Sequence, residues 1–197
     1  MAKATPSKTA DLTIRPATPD LWPALEDLFG PARGACNGCW CMYWRIGGAY
    51  SRRPREENRL ALKAIVEQGP PPGLLAFAGD LAVGWCQLTP RADLPHLDEK
   101  RASAAVDAAP VWSISCFYVR AGWRRKGVTS ALIDAAATRA KAGGASILEA
   151  YPVDPIKPTG AGNLYTGLAS TFRRHGFAEV ARRSPTRPIM RMALAAG

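Results

Sequence analysis

The chain has no run of about eighteen apolar residues, the length a membrane-crossing helix needs. Its first residues, MAKATPSKTADL, carry no hydrophobic segment of the kind that directs export. A cytoplasmic protein that does not enter membranes is therefore expected, with residues 1–10 as a disordered tail and residues 11–197 as one domain. The five cysteines, Cys36, Cys39, Cys41, Cys86 and Cys116, are odd in number and lack the spacing of a secreted disulfide scaffold, so reduced thiols are expected. Negative charge is scarce: 16 acidic against 26 basic side chains leave a net charge of +10. Such an excess admits nucleic acid, an anionic membrane or a phosphorylated ligand. Its placement narrows the choice, because the cations gather at Arg120, Arg124, Arg125 and Lys126, and again at Arg173, Arg174, Arg182, Arg183, Arg187 and Arg191. Neither group forms the basic helix face or the aromatic-interleaved run of a nucleic-acid surface.

What is present is an ordinary globular composition, 47% apolar and 21% charged. Its most informative stretch is VWSISCFYVRAGWRRKGVTSALIDAAATRAKA, from Val111 to Ala142. Val111, Trp112, Ile114, Phe117, Tyr118 and Val119 carry the β-branched and aromatic bias of a strand. Val128, Leu132, Ala135 and Ala136 then repeat at helical spacing. At the handover stand Arg124, Arg125, Lys126 and Gly127, followed by Val128 and Thr129. The first N–H groups of a helix lack intrahelical partners and sit at the positive end of its dipole, so this turn reads as a phosphate site. A Walker loop is excluded, since Val128 follows Gly127 where that motif has lysine.

Around this centre the chain reads as a strand at Leu12–Pro16, a helix from Pro19 to Phe29, and a charged helix from Arg53 to Gln68 with Leu60, Ile65 and Val66 inward. A hairpin turns on Gly79-Asp80, and a short helix is expected near Leu97 to Val106 within the connection from Pro90 to Pro110. After the central helix come a parallel strand at Ile147–Tyr151, a helix from Leu164 to His175, and a closing hairpin of Gly176–Val180 with Ile189–Leu194. Cys36-x-x-Cys39-x-Cys41 has a spacing at which thiolates share zinc. No Cys or His follows within forty residues to complete a tetrahedron, so no metal is expected. Buried reduced thiols, or a reactive or substrate-contacting thiol, remain as readings of these three.

The central stretch resembles the strand-turn-helix of the GCN5-related N-acetyltransferases (GNAT superfamily), with its pattern Arg/Gln-x-x-Gly-x-Gly/Ala. Val119 matches the last valine of that strand, Trp123 the aromatic before the arginine, Arg124 the first motif position and Gly127 the middle glycine; Thr129 stands where glycine or alanine is usual. The resemblance implies an α/β (α+β) GNAT-like acyl-CoA N-acyltransferase fold, a central mixed β-sheet flanked by helices. It also implies acetyl-CoA as co-substrate, held by Phe117, Tyr118, Val119, Arg124, Arg125, Lys126, Gly127, Val128 and Thr129. The implied activity is an N-acetyltransferase moving an acetyl group to a primary amine, taken to be that of a small molecule, by direct attack in a ternary complex.

In the resembled family the segment after the first helix roofs the acceptor site, so Trp40, Tyr43 and Trp44, with Tyr50 nearby, are the expected substrate wall. The central strand around Phe117 to Val119 is expected to offer a backbone N–H to the thioester carbonyl. The glutamate that serves as base in some members is replaced by Ser113, and the usual acid tyrosine by Phe172. Glu149 on the adjacent strand is the substitute base, with an ion pair to arginine as its alternative reading and Asp154 behind it. Tyr165, about two helical turns before Phe172, is the substitute acid, with Tyr151 and Cys116 behind it. Missing both usual groups keeps a non-catalytic acyl-CoA sensor open, with a basic nucleic-acid-binding protein as the third reading. Exposed edge strands leave room for a homodimer.

Overall fold

The computed structural model describes residues 11–30, 38–157, 160 and 164–194. The expected tail and Cys36 lie outside the described residues. One mixed sheet runs in the order β1-β2-β3-β4-β5-β7-β6, built from β1 (Leu12–Pro16), β2 (Gly73–Ala78), β3 (Leu81–Pro90), β4 (Trp112–Val119), β5 (Ile147–Ala150), β6 (Ala178–Arg182) and β7 (Pro188–Ala193). All neighbours are antiparallel except β4 and β5. The helices are α1 (Trp22–Phe29), α2 (Tyr43–Ile46), α3 (Arg55–Gln68), α4 (Val128–Ala142) and α5 (Ala169–Arg174). None of the described helices is long and apolar enough to cross a membrane.

The sheet separates two cores. On one face Val128, Leu132, Ala136 and Ala140 of α4, with Ala169 and Phe172 of α5, pack on Ala76, Leu88, Ile114 and Phe117. On the other, Leu25 and Phe29 of α1 and Leu62 and Val66 of α3 pack on Leu75, Phe77, Trp85 and Cys116. Small residues set how closely α4 seats. Gly84 of β3 lies beneath its first turn, where an added Cβ would fall 2.5 Å from Val128 Cγ1.

Between Gln87 and Leu88 of β3 the register against β4 slips, Gln87 facing Cys116 and Leu88 facing Ile114, so Ser115 is an extra, bulged residue. The alternation of β4 therefore changes phase: Ile114 and Phe117 share the α4 face, and Cys116 and Tyr118 share the other. Pairing of β4 with β5 covers only Trp112–Ile114, since β5 ends at Ala150, and beyond it the Phe117 N–H finds its partner in Tyr165 O.

Three local expectations are corrected. Leu60 is 49% exposed, and the inward face of α3 is Asn58, Leu62 and Val66, four residues apart. Residues 98–110 form no helix. Their carboxylates are taken by other partners, Asp98 by Arg91 and the Ala105 N–H seven residues to either side and Asp107 by the distant Arg191, in competition with helical bonding. The helix expected from Leu164 is only Ala169–Arg174, because Gly167 is left-handed at φ +81° and Leu168 is extended. Residues 165–168 instead bond to neighbouring strands, Val153 N–H donating to Gly167 O at 2.9 Å and Phe117 N–H to Tyr165 O at 2.5 Å.

Candidate active site

The phosphate-site turn forms as its residues dictate. β4 ends at Val119, a short 3-10 turn covers Ala121–Trp123, and α4 begins at Val128 with Gly127 as its N-cap at φ +82°, a conformation a Cβ disfavours. The first intrahelical bond runs from Ala131 N–H to Gly127 O, so the N–H groups of Val128, Thr129 and Ser130 precede it. Arg124, Arg125 and Lys126 are exposed around them. The Lys126 ammonium sits 5.0 Å above the Trp123 ring, and Arg124 Nε donates to Val119 O at 3.3 Å. Side-chain-free backbone, open N–H donors and three cations make a donor set that fits a pyrophosphate.

A cavity of about 130 Å³ opens on the face of β4 opposite α4, lined by Cys39, Cys41, Tyr43, Trp44, Tyr50, Gln87, Cys116 and Tyr165. The bulge brings Cys116 to it. Trp44 Nε1 donates to the bulged carbonyl of Ser115 at 3.0 Å, Ser115 Oγ donates to Gln87 Oε1 at 2.9 Å, and Gln87 Nε2 donates to Cys41 O at 3.2 Å. These bonds fix the wall to the bulge. Burial pushes the Tyr165 phenol up to about 12 and raises Tyr43 as well, while the positive charge of Arg187 works against both. Arg187 Nη1 donates to the buried Thr166 at 3.1 Å.

Tyr43, Trp44 and Tyr165 thus meet at one cavity, at the end of the strand edge that leads through Phe117, Tyr118 and Val119 to the α4 N-terminus. Trp40 is not among them: it is 2% exposed and packed between Trp22 and Phe29, with ring centroids at 6.0 and 5.3 Å. The Phe117 N–H is already given to Tyr165 O. By the alternation of the strand, the N–H of Val119 is the next one on that edge.

Glu149 is an ion-pair centre and does not line the cavity. It is 0% exposed; Oε1 accepts from Arg91 Nη1 at 3.0 Å and Tyr151 OH at 2.6 Å, and Oε2 accepts from Arg191 Nε at 2.7 Å. This is the alternative the sequence left open, and a carboxylate so committed is placed to hold arginines rather than to take a proton from an acceptor. Asp154 pairs with Arg173 and Arg182. Arg183 donates to the carbonyls of Ala104 and Ala105. Arg173, Arg182, Arg183 and Arg191, four members of the second basic cluster, are thereby engaged within the chain.

Of the three thiols at zinc-like spacing, Cys39 and Cys41 share the cavity, and no group of three His, Cys, Asp or Glu is placed to hold a metal ion among the described residues. Sequence reasoning missed Gln87 and Arg187. Gln87 had a signal, an amide inside the apolar run Leu81–Leu88, since buried polar groups have reasons. Arg187, in Pro-Thr-Arg-Pro, had none.

Residues 39–177 match the acetyltransferase (GNAT) family model. No curated protein matches the chain. Among solved structures, an N-acetyltransferase from Staphylococcus aureus Mu50 is similar at TM-score 0.56 and 15% identity, covering 94% of this chain and 99% of that one. The PaiA N-acetyltransferase of Thermoplasma acidophilum, in complex with coenzyme A, is similar at 0.51 and 18%, covering 93% and 99%. A polyamine N-acetyltransferase of Drosophila melanogaster, which forms N-acetylagmatine, is similar at 0.56 and 11%, covering 93% and 100%. The mixed seven-stranded sheet and the strand-turn-helix centred on Gly127 are thus those of an acyl-CoA-dependent acyltransferase, and the chain belongs to the GNAT acetyltransferase family.

Proposed function

We propose that this protein transfers an acetyl group from acetyl-CoA to a primary amine of a small molecule, by direct attack with both partners bound. One observation carries the reading: the phosphate-type turn at Gly127 and the aromatic cavity at Cys116 and Tyr165 are joined by residues 117–119 of a single strand, beyond the stretch that pairs with β5. Acetyl-CoA, when bound, supplies an activated thioester and a thiolate leaving group. The chain's own residues do the rest. Backbone N–H groups of Val128, Thr129 and Ser130, with Arg124, Arg125 and Lys126, hold phosphates. The edge at Val119 offers an N–H to a carbonyl oxygen. Tyr43 and Trp44 wall the acceptor, and Tyr165, whose phenol is pushed up to about 12 by burial, is the group we assign to give a proton to sulfur.

The test is a thermal melt with and without acetyl-CoA, followed by chromatography of candidate amines. A ligand at about 100 times its Kd adds roughly 2.7 kcal/mol of stability, a rise of several degrees in Tm. A shift with acetyl-CoA and CoA but not ATP, together with an acetylated product, supports the reading. Binding without product makes the chain an acyl-CoA-binding module, and no shift removes both.

A further inference from the structure

The cavity raises a chemical difficulty for ordinary amines. Attack on a thioester needs a nitrogen lone pair, and an aliphatic amine at neutral pH is an ammonium that must first lose a proton to a base. The side chains that ordinarily accept protons near neutrality are carboxylates and imidazoles, an ordinary thiol, at about 8.5, still holding its own proton there. Every Asp, Glu and His of the sequence falls among the described residues, and none lines the cavity. The nearest imidazole, His96, lies against Tyr43 with ring centroids 4.9 Å apart and its Nδ1 2.6 Å from Glu99, outside the lining. Among the described residues the lining is four aromatic rings, three thiols and one amide.

The charge close to it is positive. Arg187, anchored on Thr166 at 3.1 Å, is near enough to act on both Tyr43 and Tyr165. An ammonium here would be desolvated without a counter-ion and beside a guanidinium. Stacked rings would return only about 0.5–2 kcal/mol through cation–π attraction. A flat aromatic ring suits the same walls. The cavity is of the order of the roughly 150 Å³ apolar cavity that takes up benzene, and aromatic pairs add to area burial.

Resting on the acetyltransferase reading, we infer that the acceptor is a carboxylate-bearing aromatic amine, its ring in the cavity of Tyr43, Trp44, Tyr50 and Tyr165 and its carboxylate toward Arg187. Such a nitrogen is unprotonated at neutral pH, so no base is required to expose its lone pair, and Ser113 in place of a glutamate ceases to be a loss. The N–C bond forms as the C–S bond breaks. The nitrogen's surplus proton replaces the one Tyr165 gives to the departing sulfur, leaving an amide and a free thiol with no net proton released, whereas an ammonium acceptor releases one.

The experiment gives the full-length chain acetyl-CoA with 4-aminobenzoate, aniline, benzylamine or spermidine, quantifies acetylated products chromatographically, and titrates acetyl-CoA by calorimetry. Expected are a kcat/KM for 4-aminobenzoate at least tenfold above benzylamine and spermidine, a rate flat from about pH 6 to 9, and no proton release in weak buffer. In R187Q the ratio of kcat/KM for 4-aminobenzoate over aniline falls about tenfold, and in R187K much of it returns; folding of both variants is checked by the acetyl-CoA titration. Preference for benzylamine or spermidine, a rate that climbs with pH toward 9, or acetyl-CoA binding with no product from any of the four overturns the inference while leaving cofactor binding standing. Failure to bind acetyl-CoA at all overturns the acetyltransferase reading, and the inference with it.

Discussion

Gly84 of β3 and Val128 of α4 touch as backbone against side chain: an added Cβ at Gly84 would lie 2.5 Å from Val128 Cγ1 and 3.3 Å from Leu132 Cδ1. The helix end that presents the phosphate-type N–H groups is therefore seated by the smallness of a residue in a different element. G84A forces α4 outward. It is expected to lower stability by about 1–3 kcal/mol and to weaken acetyl-CoA binding as well, read by denaturant melts and calorimetry. Lost stability with unchanged affinity would mean that the turn moves as a unit with its helix.

Gly127 needs its left-handed φ of +82°. G127A is expected to cost about 1–2 kcal/mol and to reduce acetyl-CoA affinity. R124A/R125A, at exposed positions, leaves Tm close to the parent, lowers the affinity about tenfold or more and flattens its dependence on salt. Affinity measured between low and high ionic strength checks the pair.

Y165F keeps the ring and removes the proton donor. If Tyr165 protonates the leaving sulfur, kcat drops about a hundredfold while KM for acetyl-CoA stays near the parent value. An unchanged kcat would assign that proton to solvent or to the nitrogen.

Glu149 holds Arg91 and Arg191 together at 0% exposure. E149A removes the buried carboxylate from between two guanidinium groups, leaving them only the more exposed Asp98 and Asp107, and is expected to cost about 3–5 kcal/mol. The milder E149Q is expected to lower Tm while kcat per folded molecule, with the folded fraction read by acetyl-CoA titration, changes little. A kcat loss of about a hundredfold in folded E149Q would return this residue to the chemistry.

The hydrogen bond from Arg173, and then that from Arg182, hold the Asp154 carboxyl down at about 2. Its folded value lies below the ordinary one near 3.9. Its stabilisation is therefore complete above about pH 4 and is lost as pH falls toward 2, the unfolded chain binding the proton first. Asp98 and Asp107, also held low by arginines, add to the same acid limb. Tm followed from pH 6 downward should fall in that window, and D154N should start lower and fall less steeply.

What the sequence disclosed was local. The change of period at Gly127, the Gly79-Asp80 hairpin and the basic turn are written in adjacent residues, and the strand, turn and helix stand at Trp112–Val119, Ala121–Trp123 and Val128–Ala142. The partners of Glu149 were not local, Arg91 and Arg191 being 58 and 42 positions away. Tyr165 was given to a helix because its neighbours have helical spacing, and a single glycine at 167 with positive φ was enough to cancel that. Trp40, Tyr43 and Trp44 look alike in sequence, and only the fold tells the core ring from the two cavity rings. The slip at Ser115 leaves no mark in composition at all, since any residue can be the extra one.

That slip makes the central strand two half-strands of opposite phase. Before it, Ser113 reaches the Tyr151 hydroxyl at 2.8 Å beside the arginine-bound carboxylate; after it, Cys116 and Tyr118 lie on the face opposite α4 while Phe117 backs onto the helix. Deleting Ser115 would make the strand regular and keep Phe117 on the helix side and Cys116 and Tyr118 on the other, at the loss of the carbonyl that accepts from Trp44. A strand of the same residues without the bulge would instead turn its second half inside out, burying a thiol and a phenol under the helix. The cavity wall is thus defined by a count of residues as much as by their kinds.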